Sequence, residues 1–282
     1  MDFENYDIRI ALMDLNNGHP NQGMRNIREI VQRYQHERGI RADVVEFDVR
    51  QQCRIPDHSF DIYISSGGPG SPFEDGMEWE RRYFQLIRGL YDHNKTAAES
   101  DKKHVFFICH SFQLACRIFD IGNVSLRKSN SFGVFPTHKT PAGQLEPVFS
   151  GLPDPFYIVD SRDWQVIEVN ERRLAEMGGA VLALEKERPH VLMKQAVMAI
   201  RFSPEMIGTQ FHPEADAQSM RNLLNNEEWS SKIIDKYGVA KYDETVTRLA
   251  DPDKIMLTQQ VILPTFLDIA IQTSNKTQEA YL

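Results

Sequence analysis

In Val105-Phe106-Phe107-Ile108-Cys109-His110-Ser111-Phe112-Gln113 an apolar run ends on a thiol, and a helical pattern begins immediately after it. Val105 to Ile108 predicts a short strand buried on both faces, and Phe112, Ala115, Cys116 and Phe119 recur at helical spacing. A thiol at such a junction sits near a helix N-terminus, where unpaired N–H groups and the helix dipole favour the thiolate. This is the arrangement of a nucleophile elbow. Taken alone, Cys109 reads equally as a buried core cysteine.

Two further stretches supply what a nucleophile needs. In Gly208-Thr-Gln-Phe-His212-Pro-Glu214 a strand ends with His and Glu two residues apart, and the period of an extended chain points both to one side. His212 can then take the thiol proton while Glu214 orients the ring; alone, the same residues read as a polar strand end. The loop Gly67 to Gly70 follows another strand. Its missing side chains let backbone N–H groups approach a substrate, so it can share an oxyanion site with the amide of His110. It is no dinucleotide loop, because Phe73 stands where the third glycine belongs, and no Gly-Lys-Ser/Thr marks a phosphate loop. Asp160, Arg162, Asp163 and the nine histidines form no metal-ligand pattern, and no metal or other cofactor is expected.

The elements around these stretches alternate. Ile8, Ile10 and Leu12 predict a first strand, Gln22 to His36 an amphipathic helix, Ala42 to Val49 and Asp61 to Ser65 two more strands, and Gly76 to His93 a second helix before the Cys109 strand. That order predicts an α/β fold with a mostly parallel central sheet covered by helices on both faces. Loops at the carboxyl ends of such strands line one crevice, which would bring the three stretches together. Beyond Gly122 short strand candidates predict a smaller antiparallel portion: Phe132 to Phe135, Phe156 to Val159, Val166 to Val169, Ala180 to Leu184, Ala196 to Phe202 and Gly208 to Phe211. Helices follow over Ser219 to Leu224, Glu227 to Tyr237 and Asp253 to Gln272, where Pro264 is expected to kink or split the last. Its apolar face must pack on its own domain or join copies of the chain into a homo-oligomer. Thr273 to Leu282 reads as a frayed polar tail.

Composition narrows the class. With 32 Lys and Arg against 40 Asp and Glu, the net charge of -8 gives no reason to expect nucleic acid or an acidic membrane surface as partner. No apolar stretch is expected to span a bilayer. Cys53, Cys109 and Cys116 have no metal spacing and cannot all pair, and the first residues lack signal-peptide character, so a reducing cytoplasm is the expected location.

Together Ser65-Ser-Gly-Gly-Pro-Gly-Ser-Pro72, Ile108-Cys109-x-x-x-Gln113 and Gln210-Phe-His212-Pro-Glu214 resemble the class I glutamine amidotransferase domain of GMP synthase and of anthranilate and carbamoyl-phosphate synthases. The resemblance covers roughly residues 7 to 225. It implies a flavodoxin-like domain over residues 1–225, with residues 226–282 as a helical extension. It further implies that Cys109 attacks the side-chain amide of glutamine, that His212 is base and then acid, that Glu214 orients it, and that a γ-glutamyl thioester is hydrolysed after ammonia leaves. Gly68 and the His110 amide would form the oxyanion hole, and Gln113 would hold the substrate, with Ser161 and Asp163 lining the same pocket. With no phosphate-loop signature after residue 225, either ammonia would pass to a separate synthetase or acceptor subunit, or the domain would act on a γ-glutamyl compound by itself. The pattern departs from the family where Phe107 and Ser111 replace two glycines of Gly-x-Cys-x-Gly-x-Gln. Cys109-His110 also resembles PfpI-type hydrolases, in which the adjacent His can be catalytic. Homoserine acyltransferases use Cys, His and Glu in this order too. A degenerate domain that only binds a ligand or partner is the reading from another class.

Overall fold

The structure, a computed structural model, describes residues 6–19, 22–73, 76–187, 194–251 and 254–274. Its strands are β1 (Ile8–Asp14), β2 (Ala42–Asp48), β3 (Ile62–Ser65), β4 (His104–Ile108), β5 (Asn123–Lys139), β6 (Phe156–Ile167), β7 (Ala180–Glu185), β8 (Val197–Ser203) and β9 (Met206–Thr209). The helices are α1 (Gln22–Arg38), α2 (Glu78–Asn94), α3 (His110–Phe119), α4 (Pro141–Gln144), α5 (Glu171–Glu176), α6 (Ala217–Asn225), α7 (Glu227–Tyr237), α8 (Val239–Ala250) and α9 (Ile255–Thr273). One mixed sheet runs β2-β1-β3-β4-β9-β8-β7-β5-β6. The strands from β2 to β9 pair in parallel, and from β9 to β6 every pairing is antiparallel. This is the expected α/β architecture with helices around a mixed sheet.

Side-chain alternation builds a core on each face. Ile10, Leu12, Ile64 and Phe106 face Ile27, Ile30 and Val31 of α1, while Ala11, Met13, Tyr63 and Phe107 face Trp79, Tyr83 and Ile87 of α2. A third cluster joins Phe132, Val134 and Val159 to Leu224, Ile233 and Leu249 of the later helices. β6 then curls back, and Val159 pairs with His212 beyond the end of β9. The loops after β3, β4 and β9 therefore share the carboxyl edge of the parallel strands, with β6 laid across it.

Several expectations need correction. β5 is one strand of 17 residues rather than the four from Phe132 to Phe135, with an irregularity between Leu126 and Ser131. The segment Phe156 to Val159 and the first half of Val166 to Val169 belong to one strand, β6, which ends at Ile167. Helix α8 was not foreseen. Pro264 does not split α9, which runs unbroken for 19 residues. That helix is also long and apolar enough, by length and composition, to cross a bilayer, contrary to the sequence reading. Its Gln and Thr residues interrupt the run without lowering the mean sufficiently. Ile262, Leu263, Phe266 and Leu267 bury against the sheet, with Phe266 edge-on to Phe106 at 5.2 Å. Each such burial contributes roughly 2 kcal/mol. Asp268 accepts hydrogen bonds from Tyr34 and Arg38 of α1, both at 2.8 Å, which fixes the helix against its own chain. The segment 275–282, read as a tail, lies outside the described residues.

Candidate active site

Cys109 sits between β4 and α3 with φ 49° and ψ -97°, a conformation that L side chains rarely adopt. Such backbone costs of order 1–3 kcal/mol and persists only when its surroundings enforce it. The Cys109 N–H donates to Thr209 O at 2.7 Å, and its carbonyl accepts the first helical bond from Gln113 N at 3.1 Å. Ser111 adds to this: its Oγ accepts from Ile108 N and donates to Ser65 O, both at 2.8 Å. The hydroxyl that replaces a family glycine thus ties the elbow to the end of β3. Phe107, at the other replaced glycine, is fully buried, and its partner in the register on β9 is Gly208. A Cβ on Gly208 would lie 2.9 Å from Phe107 Cβ. The crowding that glycine relieves at the elbow is relieved here from the neighbouring strand.

His212 Nδ1 and Glu214 Oε1 are 2.8 Å apart. The contact does not arise from an extended chain, since β9 ends at Thr209; residues 213–214 form a turn, and only His212 keeps a strand-like bridge, to Val159. Burial alone would lower the His212 pKa, but the Glu214 carboxylate and Cys109 outweigh it and hold it well above its ordinary value. The elbow and the histidine meet over Gly67, where a Cβ would lie 2.9 Å from His212 Cε1 and 3.5 Å from Cys109 Cβ. Gly68, the residue singled out from sequence, makes a different approach: its Cβ would strike Leu15 O at 2.3 Å. Arg50 holds the same loop through Nη1, which donates to Pro69 O at 2.6 Å and Leu15 O at 3.1 Å.

Gln113 is buried, and its Nε2 donates to Gln210 Oε1 at 3.2 Å; Gln210 Nε2 in turn points at Cys109 Sγ at 3.7 Å. Gln210 stood in the quoted motif without a role, and only the fold shows it beside the sulfur. Ser161 presents its carbonyl to Cys109 Sγ at 3.9 Å. The Asp163 carboxylate accepts from Asn130 and lies 3.8 Å from Lys236 Nζ. Asn130 and Lys236 belong to β5 and α7. Among the described residues no group of three or more His, Cys, Asp or Glu side chains could hold a metal ion.

His110 follows the nucleophile, but its ring is buried and its Nε2 has no hydrogen-bond partner. Burial, reinforced by the charges of Arg50 and Arg117, lowers its pKa to about 3. His104, at the start of β4, is buried too, which lowers its pKa to about 4. Unfolded histidines protonate near pH 6.5. In the window from about 6.5 down to 4 the unfolded chain therefore binds more protons, and stability falls with falling pH by up to ~1.4 kcal/mol per unit per histidine. His212 has the opposite sign: its contribution is complete below about 6.5 and is lost as pH rises through its raised folded value. Thermal melts are expected to drop from pH 6.5 to 4.5, with a shallower slope in His104→Gln and in His110→Gln. An unchanged slope in both would show that neither ring is held neutral.

The fold is that of an α/β protein that gathers a strained cysteine at a strand–helix junction, a His-Glu pair and a glycine loop on one sheet edge. The sequence matches the glutamine amidotransferase class-I family over residues 23–229, and the chain belongs to that family. Solved structures share the fold. A glutamine amidotransferase from Thermotoga maritima superposes with a TM-score of 0.68 at 13% identity, over 95% of this chain and 100% of that one. A glutamine amido transferase from Methylobacillus flagellatus gives a TM-score of 0.58 at 15% identity, over 98% and 95%. The glutaminase domain of the Trypanosoma brucei CTPS, solved with bound acivicin, gives 0.56 at 13% identity, over 95% and 94%. No curated protein matches the chain significantly.

Proposed function

We propose that the chain hydrolyses the side-chain amide of glutamine through Cys109, His212 and Glu214. The observation that carries this reading is the 2.8 Å His212–Glu214 contact, closed over Gly67 onto the elbow cysteine. His212 removes the thiol proton, and the sulfur attacks the amide carbon. His212 then returns the proton to the departing nitrogen, ammonia leaves, and water drawn onto the same base hydrolyses the γ-glutamyl thioester. Glu214 keeps Nδ1 engaged and balances the imidazolium, and backbone N–H groups of the 67–68 loop and of His110 receive the oxyanion. Gln113 and Gln210 line the substrate side beside the sulfur. Ammonia passes to a separate synthetase or acceptor subunit in a cytoplasmic setting.

The burial of His110 supports His212 rather than His110 as the base. Labelling with an electrophilic glutamine analogue tests the assignment. Wild type and His110→Ala are expected to react selectively at Cys109, read as a mass increment on its peptide, whereas His212→Ala should slow labelling at least ~100-fold. Loss of labelling in His110→Ala alone would move the base to His110. No selective labelling of the wild type would favour the binding-module reading.

A further inference from the structure

A cavity of about 300 Å³ lies between β5, β6, β7, β8 and α8, lined in part by Thr137, Asp160 and Arg162. Asp160 and Arg162 flank Ser161, whose carbonyl faces the Cys109 sulfur, so the cavity and the thiol crevice share β6. Three polar atoms of its lining residues are buried without a partner: Thr137 Oγ1, Asp160 Oδ1 and Arg162 Nη1. Leaving such groups unpaired is costly, and three in one cavity call for a ligand that pairs with them.

The pairs already made show what is left over. Arg162 Nε donates to Asp160 Oδ2 at 3.0 Å, and Arg162 Nη2 and Arg127 Nη1 share Glu185 Oε2 at 3.4 and 3.3 Å. Buried guanidiniums and carboxylates thus balance in charge, leaving the two N–H bonds of Arg162 Nη1 for an acceptor and Asp160 Oδ1 for a donor. Nearer solvent, Glu244 is paired with Arg248 and, at 2.8 Å, with Lys241, while Lys186 adds a further positive charge, so the lining carries four cations against three carboxylates. A ligand that fits has a carboxylate for Arg162, an ammonium for Asp160, and a second carboxylate for Lys186 and Arg248. Charge-assisted hydrogen bonds of this kind are about twice as strong as neutral ones.

We infer that this cavity is a binding site for an acidic amino acid, separate from the thiol crevice and joined to it through Ser161. The site takes a zwitterion bearing one extra negative charge. Its occupancy fixes the β6 segment that faces the nucleophile.

Calorimetric titration of L-glutamate tests it, using protein whose Cys109 has been capped with iodoacetamide so that the crevice is blocked whatever its chemistry. The expected result is saturable binding of one L-glutamate per chain. Glutarate, which lacks the ammonium, and L-glutamine, which lacks the second charge, should each bind about tenfold or more weakly, the effect of one charge-assisted bond. Arg162→Gln should abolish binding. Should that variant fail to melt cooperatively, Lys186→Glu reverses an exposed charge without touching the core and should weaken L-glutamate at least about tenfold. Absence of saturable binding, equal binding of glutarate, or undiminished binding in Lys186→Glu would overturn the assignment.

Discussion

Cys109→Ala is expected to reduce ammonia release from glutamine to the uncatalysed background, a loss of ~10⁴-fold or more, while the melting temperature moves little. The expected effect is large because in the proposed reaction the sulfur forms the covalent intermediate, and no neighbouring group can replace it: Cys116 is fully buried, with its thiol pKa driven well above the ordinary value by burial. Stability should hold because the elbow is fixed by its backbone bonds to Thr209 and Gln113 and by Ser111, none of which uses the sulfur. Alanine keeps the same Cβ and meets the same positive φ. The measurement is coupled detection of ammonia from purified wild type and variant without a partner, beside thermal melts of both. Equal release from the two proteins would remove the thiol from the reaction.

Much of the site was legible because its parts are short, contiguous and placed at strand ends. Cys109 ends an uninterrupted apolar strand, and His212 and Glu214 follow another, so their convergence required only that β4 and β9 be parallel. What remained hidden depends on distances between strands. Gly67, rather than Gly68, closes on Cys109 and His212, and nothing in the Gly-Gly sequence separates the two: one approaches side chains and the other the Leu15 carbonyl. Gln210, the first residue beyond β9, reaches the sulfur only because β9 lies beside β4. The cavity behind Ser161 draws on several separate elements, and its lining residues read in sequence as ordinary charges on polar strands.

The longer misreadings have local causes. In β5 the run Arg127-Lys128-Ser129-Asn130 breaks alternation at the irregularity opposite β6, so the pattern resumes only at Phe132. In β6 Asp160, Arg162 and Gln165 are polar yet buried, because they bond one another, Arg127 and Glu185 instead of water. A reading that equates polarity with exposure ends the strand there. Helix α8 hides for a related reason: with Thr245 and Leu249 as its buried residues, its stripe is too thin to stand out from the preceding polar sequence.

Phe107 tests whether this chain has lost a glycine or moved it. Gly208→Ala should destabilise the protein by about 2–3 kcal/mol, because its Cβ would meet Phe107 Cβ at 2.9 Å and Phe107 O at 3.0 Å across a parallel pair with no slack. In a chain of this size that corresponds to roughly 5 to 10 °C in melting temperature. The displaced strand is β4, which carries Cys109, so Cys109 labelling should slow as well. The decisive comparison is Gly208→Ala in a Phe107→Gly background. Phe107→Gly empties the space beside Phe112 and Phe202 and is costly by itself, but it removes the Cβ that the methyl added at position 208 would strike. The added cost of Gly208→Ala should then shrink by at least ~1 kcal/mol, a coupling expected only for residues in direct contact. Simple additivity would mean that Gly208 does not compensate for Phe107, and the elbow would have to tolerate the aromatic residue by some other adjustment of β4.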